Sequence, residues 1–174
     1  MNLLQEVKFR GNAGAVILLP GKQELVLAFE RSNTDGFYQL PQGGIEGDEK
    51  DDVEKTIWRE LLEETGLTPA DLVLVDRHPV WLGYSVSAIS RDPSNPNFGQ
   101  AQQYFYFIFK GNVNDIDLTK ATAAQPEFKS VRPMTFDELI QCCALIKKNV
   151  YRELQRYTRA QNLFNVVQLT APRQ

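Results

Sequence analysis

The sequence predicts an α/β fold in which a mixed β-sheet is packed between helices. Two observations point there: apolar, strand-like runs lie on both sides of one strongly patterned helix, and a second helical pattern occupies the end of the chain. Turn residues such as Pro20, Gly21 and the PQGG at 41–44 punctuate the runs.

The elements follow in order. Residues 7–19 and 24–30 read as two apolar strands joined at Pro20 and Gly21, and a short strand at 37–40 leads into the PQGG turn. The helix comes next, at 52–65. Asp51 is a good N-cap, and Glu54 three residues later completes a capping-box pattern. Val53, Ile57 and Leu61 recur every fourth residue and, with Trp58 and Leu62, form a broad apolar face that Gly66 terminates. Further strands are expected at 72–75, 80–87 and 103–109, the last alternating aromatics in QYFYFIF. SRDPSNPNFGQ at 90–100 reads as a polar, Pro-broken loop. A final helix is expected from about Phe136 to about Arg159, giving one domain over 1–160 and a C-terminal tail at 161–174.

Composition narrows the function. The 174 residues carry a net charge of −3, so nothing global attracts a polyanion and a nucleic-acid contact needs a local patch. Lys147, Lys148, Arg152, Arg156 and Arg159 offer one, against Glu153 alone; the wet face of an amphipathic helix explains them equally well. MNLLQEVKFR has neither a basic flank nor a long apolar segment, and no run approaches the length of a bilayer span, so a cytoplasmic protein without membrane contact is expected. Cys142 and Cys143 are adjacent in a helical pattern, where side chains diverge by about 100°, and read as core thiols. With His78 as the single histidine, zinc chemistry and a Ser-His-Asp triad are disfavoured.

The chemistry gathers in RELLEETGL, where Glu60, Glu63 and Glu64 fill the last turn of the helix. That end already carries partial negative charge. Glu60 and Glu64 also fall within about 20° of Val53 around the helix, so they extend its buried side. Neighbouring carboxylates 5 to 6 Å apart repel by roughly 3 kcal/mol at an effective dielectric near 20, and several-fold less in water. Glu63 has Arg59 one turn earlier, but Thr56, Ile57, Glu63 and Glu64 surround Glu60 and none is cationic. A hard divalent ion such as Mg²⁺, which prefers oxygen ligands, would supply the missing charge. An arbitrary acidic cluster is more often a solvated helix end; placement on the apolar side behind a Gly-rich turn reverses that preference.

These residues, GGIEGDEKDDVEKTIWRELLEETGL at 43–67, resemble the Nudix box of the Nudix hydrolases. The resemblance implies a Nudix-type α/β/α sandwich, a Mg²⁺ site (with Mn²⁺ as a substitute) at Glu60, Glu63 and Glu64, and Arg59 as the arginine that orients a box glutamate. The family usually places a Glu about seven residues before its Arg-Glu pair; this chain has Asp51 there and two extra residues in GIEGDEKDD, leaving Glu49 and Asp51 as candidates for that role. FRGNAGAVIL, YQLPQGGI, VWLGY, GQAQQYFYF, QPEF and KKNVY extend the similarity over most of 7–155, toward the branch of RNA 5′-pyrophosphohydrolases and diadenosine tetraphosphate hydrolases. In that branch the PEF glutamate, here Glu127, joins the metal site. Arg10 matches an arginine of the opening strand, Arg31 and Lys147 are cations for phosphates, and Tyr84 is a base-stacking candidate, although a strand aromatic is more often core. Where some relatives have an aromatic before the lysine, this chain has Ile146. The expected activity is Mg²⁺-dependent phosphoanhydride hydrolysis, with Glu64 or Glu127 as base, acting on the triphosphorylated RNA 5′ end. A dinucleoside polyphosphate substrate is the alternative, and an inactive nucleotide sensor is the alternative of another class; DNA is not expected as a partner.

Overall fold

The computed structural model describes residues 8–21, 23–47, 49, 52–85 and 97–165. Its strands are β1 (Lys8–Leu18), β2 (Val26–Arg31), β3 (Tyr38–Gln39), β4 (Gln42–Gly44), β5 (Leu72–Arg77), β6 (Leu82–Ser85), β7 (Asn97–Phe109) and β8 (Phe128–Met134). Its helices are α1 (Val53–Thr65), α2 (Phe136–Cys142) and α3 (Lys148–Ala160). The expected mixed sheet is present: β1 and β7 run parallel at the centre of an order β3-β2-β1-β7-β5, and the other pairings are antiparallel.

Period-two alternation explains how one sheet serves two helical layers. In β7, Phe105, Phe107 and Phe109 join Ala13, Ala15 and Ile17 of β1 beneath Ile57 and Leu61 of α1. Tyr104, Tyr106 and Ile108 point the other way, with Val16 and Leu18, into the core closed by Leu139 of α2 and by Val150, Tyr151 and Leu154 of α3. The QYFYFIF run is therefore buried on both faces, which its lack of charge announces.

Helix α1 ends at Thr65 as expected but starts at Val53, one residue later than expected and without the expected capping box. Gly66 caps it in the left-handed region at φ 73°, its N–H donating to Leu62 O. Asp51 lies outside the described residues; Asp52 stands at the N-cap position and makes no side-chain capping bond.

Several elements differ from expectation. The last helix is interrupted: Cys143 and Ala144 are extended and a 3₁₀ turn, Leu145–Lys147, precedes α3. Neither Pro nor Gly marks the break, so tertiary packing imposes it, with Cys143 and Lys147 both buried. Residues 42–44 form β4 against β1 where a plain turn was expected, and β8 pairs along β2 although Lys129, Arg132 and Pro133 hide it as a strand. Strand β7 also starts earlier than the expected residue 103, and pairing with β1 and β6 holds a first half whose glutamines hide it as a strand. Residues 86–96, which contain the end of the expected 80–87 strand and most of the expected loop, lie outside the described residues. Within the expected tail, Leu163 and Phe164 pack into the core on the α3 side.

On α3, Arg152 is exposed, Arg156 pairs with Glu153 at 2.6 Å and Arg159 with Glu24 at 2.9 Å. These three form the wet face of the helix. Among the described residues no helix is long and apolar enough to cross a membrane.

Candidate active site

The C-terminal half of α1 lies against β4, and Gly43 makes the approach possible. A Cβ on Gly43 would stand 1.8 Å from Cδ of Glu60, so any side chain there collides with that carboxylate. Glu60 is consequently 92% shielded, with 8% of its surface exposed.

Arg59 organises the acids around this contact. Its Nε donates to Glu49 Oε1 at 2.7 Å, its Nη2 to Glu49 Oε2 at 3.0 Å and to the Gly44 carbonyl at 2.8 Å, and its Nη1 to Glu60 at 2.8 Å and Glu63 at 2.9 Å. The expected i,i+4 pair with Glu63 is there, but the isolation expected for Glu60 is not. Adjacent residues on a helix do not face each other; the length and forked shape of the guanidinium overcome this. Glu49, which also accepts from the Thr56 hydroxyl at 2.9 Å and from Glu46 N–H at 3.1 Å, occupies the guanidinium's long edge. Arg59 holds the Glu49 carboxyl down at about 2, and Glu49 in turn raises the Arg59 guanidinium above its usual range. Burial pushes Glu60 up despite Arg59.

Glu64 turns toward β4, where its Oε2 accepts from Gln42 N–H at 2.9 Å. Burial, then the charges of Glu60 and Glu127, drive its carboxyl well above the usual range, while Gln42 N–H and Lys147 act the other way. Lys147 is buried after the break in the last helix, and burial lowers its ammonium to about 8 against the upward pull of Glu64 and Glu127.

Glu127 sits just before β8, its carbonyl accepting from Ser32 N–H at 2.9 Å. Its carboxylate meets Arg31 Nη1 at 2.7 Å. Gln39 of β3 touches both: its Oε1 accepts from Arg31 Nη1 at 3.2 Å and its Nε2 donates to Glu127 at 3.4 Å. Gln39 lies in the YQLPQGGI segment but is not among the expected site residues, because a Gln in a two-residue strand carries no periodic signal of its own.

Arg10 and Tyr84 are the remaining expected residues. Arg10 lies against Gly44, where an added Cβ would meet its Nη2 at 2.0 Å. Tyr84 packs against the α3-side core and donates to Gln100 Oε1 at 2.5 Å, its phenol pushed up to about 12 by burial. Exposed Leu145 and Ile146 immediately precede Lys147.

The structure thus brings Arg59, Glu60 and Glu63 together with Glu49, and sets Glu64, Arg31 and Glu127 in electrostatic contact with Lys147. Among the described residues, no three His, Cys, Asp or Glu side chains are gathered closely enough to hold a metal ion. Glu60 and Glu63 are turned onto Arg59, and Glu127 onto Arg31. The donor set nevertheless fits a hard divalent cation: it is all oxygen, it comes from adjacent turns and loops, and Glu64 keeps an acid whose charge burial and neighbouring carboxylates oppose.

The model of the NUDIX domain matches residues 8–154. The chain belongs to the Nudix family, as its mixed sheet between helices and its acidic helix end already indicate. It is 33% identical over 152 residues to a protein named RNA pyrophosphohydrolase from Helicobacter pylori (strain P12), covering 86% of this chain and 93% of that one. It is 34% identical over 149 residues to an RNA pyrophosphohydrolase from a Sulfurovum species, covering 84% and 90%. The fold is shared with a C. elegans Ap4A hydrolase at a TM-score of 0.62 and 15% identity, covering 87% of this chain and 98% of that one.

Proposed function

We propose that this protein is a hydrolase of phosphoanhydride bonds that removes pyrophosphate from the 5′-triphosphate end of RNA, with a cytoplasmic location to match. The observation that carries the reading is the buried Glu64 carboxylate, held on Gln42 N–H at 2.9 Å and opposed by the charges of Glu60 and Glu127; the names of the curated relatives supply the substrate.

Nudix proteins generally use divalent metals such as Mg²⁺. Glu60, Glu63, Glu64 and Glu127 are the residues that would hold the metal, which when bound neutralises the polyphosphate and lowers the pKa of water. Arg59 keeps Glu60 and Glu63 in place by bonding both, and Glu49 anchors Arg59. Arg10, Arg31 and Lys147 supply positive charge for the phosphates, and Tyr84 a ring for the first base. Glu64 or Glu127 takes the proton from the attacking water.

Incubation with Mg²⁺ and either 5′-triphosphorylated RNA or a dinucleoside tetraphosphate tests the assignment. Release of pyrophosphate from the RNA is expected, and clear preference for the dinucleotide would overturn it. Glu64→Gln separates enzyme from nucleotide sensor: turnover should vanish while the circular-dichroism spectrum stays unchanged. Undiminished turnover would remove Glu64 from the machinery.

A further inference from the structure

The Arg31–Gln39–Glu127 triangle is closed on itself. Arg31 Nη1 gives its donors to Glu127 at 2.7 Å and to Gln39 Oε1 at 3.2 Å, and the Gln39 amide returns to Glu127 at 3.4 Å. Arg31 Nε is also occupied, by Asn33 Oδ1 at 3.2 Å. Gln39 is itself 95% shielded, and its backbone is held by pairing with Phe29 of β2 and by the Tyr151 hydroxyl accepting from neighbouring Leu40 N–H at 3.0 Å. Only one amide orientation suits a cation on one side and an anion on the other. The amide therefore fixes the directions of both charged partners.

A phosphate approaching Arg31 in this arrangement meets a carboxylate on the same guanidinium nitrogen. Like charges at that spacing oppose each other, and the guanidinium is already neutralised.

We propose that Gln39 and Glu127 make Arg31 a metal-dependent phosphate clamp. Without a divalent ion Glu127 occupies Arg31 and suppresses anion binding. With one, Glu127 turns to the metal and Arg31 is released to the polyphosphate, its direction kept by Gln39. Gln39 is a positioning residue in both states. The metal half of this rests on the function proposed above; the suppression of anion binding does not.

The test uses the full chain in excess EDTA, with inorganic tripolyphosphate as probe and calorimetry as readout. Glu127→Gln is expected to bind about tenfold tighter than the unaltered protein, the scale of one charge-assisted hydrogen bond regained. Adding Arg31→Ala should erase the gain, adding Gln39→Leu should reduce it, and Glu63→Gln, which removes the same charge beside Arg59, should not reproduce it. Glu127→Ala repeats the measurement if the Gln variant does not fold. No gain, or a gain that survives Arg31→Ala or appears equally in Glu63→Gln, overturns the clamp. RNA hydrolysis by the unaltered protein is scored separately: activity without the EDTA effect sinks the clamp alone, whereas no activity sinks the hydrolase reading and leaves the anion result standing on its own.

Discussion

Arg59 uses all five of its N–H donors, on three carboxylates and one carbonyl. A lysine offers three donors from a single point and reproduces neither the two-pronged grip on Glu49 nor the reach to Gly44. Arg59→Lys should therefore cost about 2 kcal/mol of stability, a figure held down by the partial exposure of the cluster, and should also lower kcat. Urea titration checks the first part; a midpoint within error of the unaltered protein would show that the knot contributes nothing. Gly43→Ala probes the same site from the strand side. Its methyl displaces the Glu60 carboxylate by the whole width of a contact, so hydrolysis should fall about 100-fold with the overall fold retained, as steady-state kinetics beside a circular-dichroism spectrum will reveal. At this scale the sequence was readable where the rule was local. The Arg59–Glu63 pair follows from helical spacing, whereas Glu49 and Gln39 reach their partners through an irregular loop and a two-residue strand, where spacing encodes nothing.

The elements were legible in proportion to their length and their repeat. Helix α1, with four-residue apolar spacing and a glycine stop, and β7, with its alternating aromatics, declared themselves. Strand β4 is three residues long, too short to show a period, and the interruption between α2 and α3 has no breaker residue. Yet that interruption turns Lys147 inward and lets α3 deliver Tyr151 to the strand beside the site. The Tyr151 hydroxyl accepts from the buried Leu40 N–H, next to Gln39. Tyr151→Phe deprives that donor of its partner and should cost about 1 to 3 kcal/mol. Because Leu40 follows Gln39, the loosened strand should also raise the KM for triphosphorylated RNA more than it changes kcat. A stability loss with KM untouched would confine Tyr151 to the core.

Across the whole molecule, two cores back to back on one sheet bring the box helix, the β3 edge and the final helix to a common site, and charge pairs secure the outer strands. Glu30 of β2 is such a tie. Its carboxylate accepts from Gly36 N–H at 2.8 Å and from the Ser130 hydroxyl of β8 at 2.7 Å, with Lys129 at 3.4 Å, and Gly36 first, then Ser130, draw its carboxyl down from 4.5 to about 2. The folded protein thus binds this proton less readily than the unfolded chain does. The stabilisation is whole above pH 4.5 and drains away as pH falls toward 2, because only the unfolded chain gains a proton across that interval. Replacement by Gln removes the titration while keeping the shape. Denaturant midpoints for the unaltered protein and Glu30→Gln should differ at pH 6, converge as the solution is acidified through this window, and coincide near its lower end. A difference that is absent at pH 6, or as large at the acid end as at neutrality, would mean that the link between β2 and β8 does not depend on the charge of Glu30.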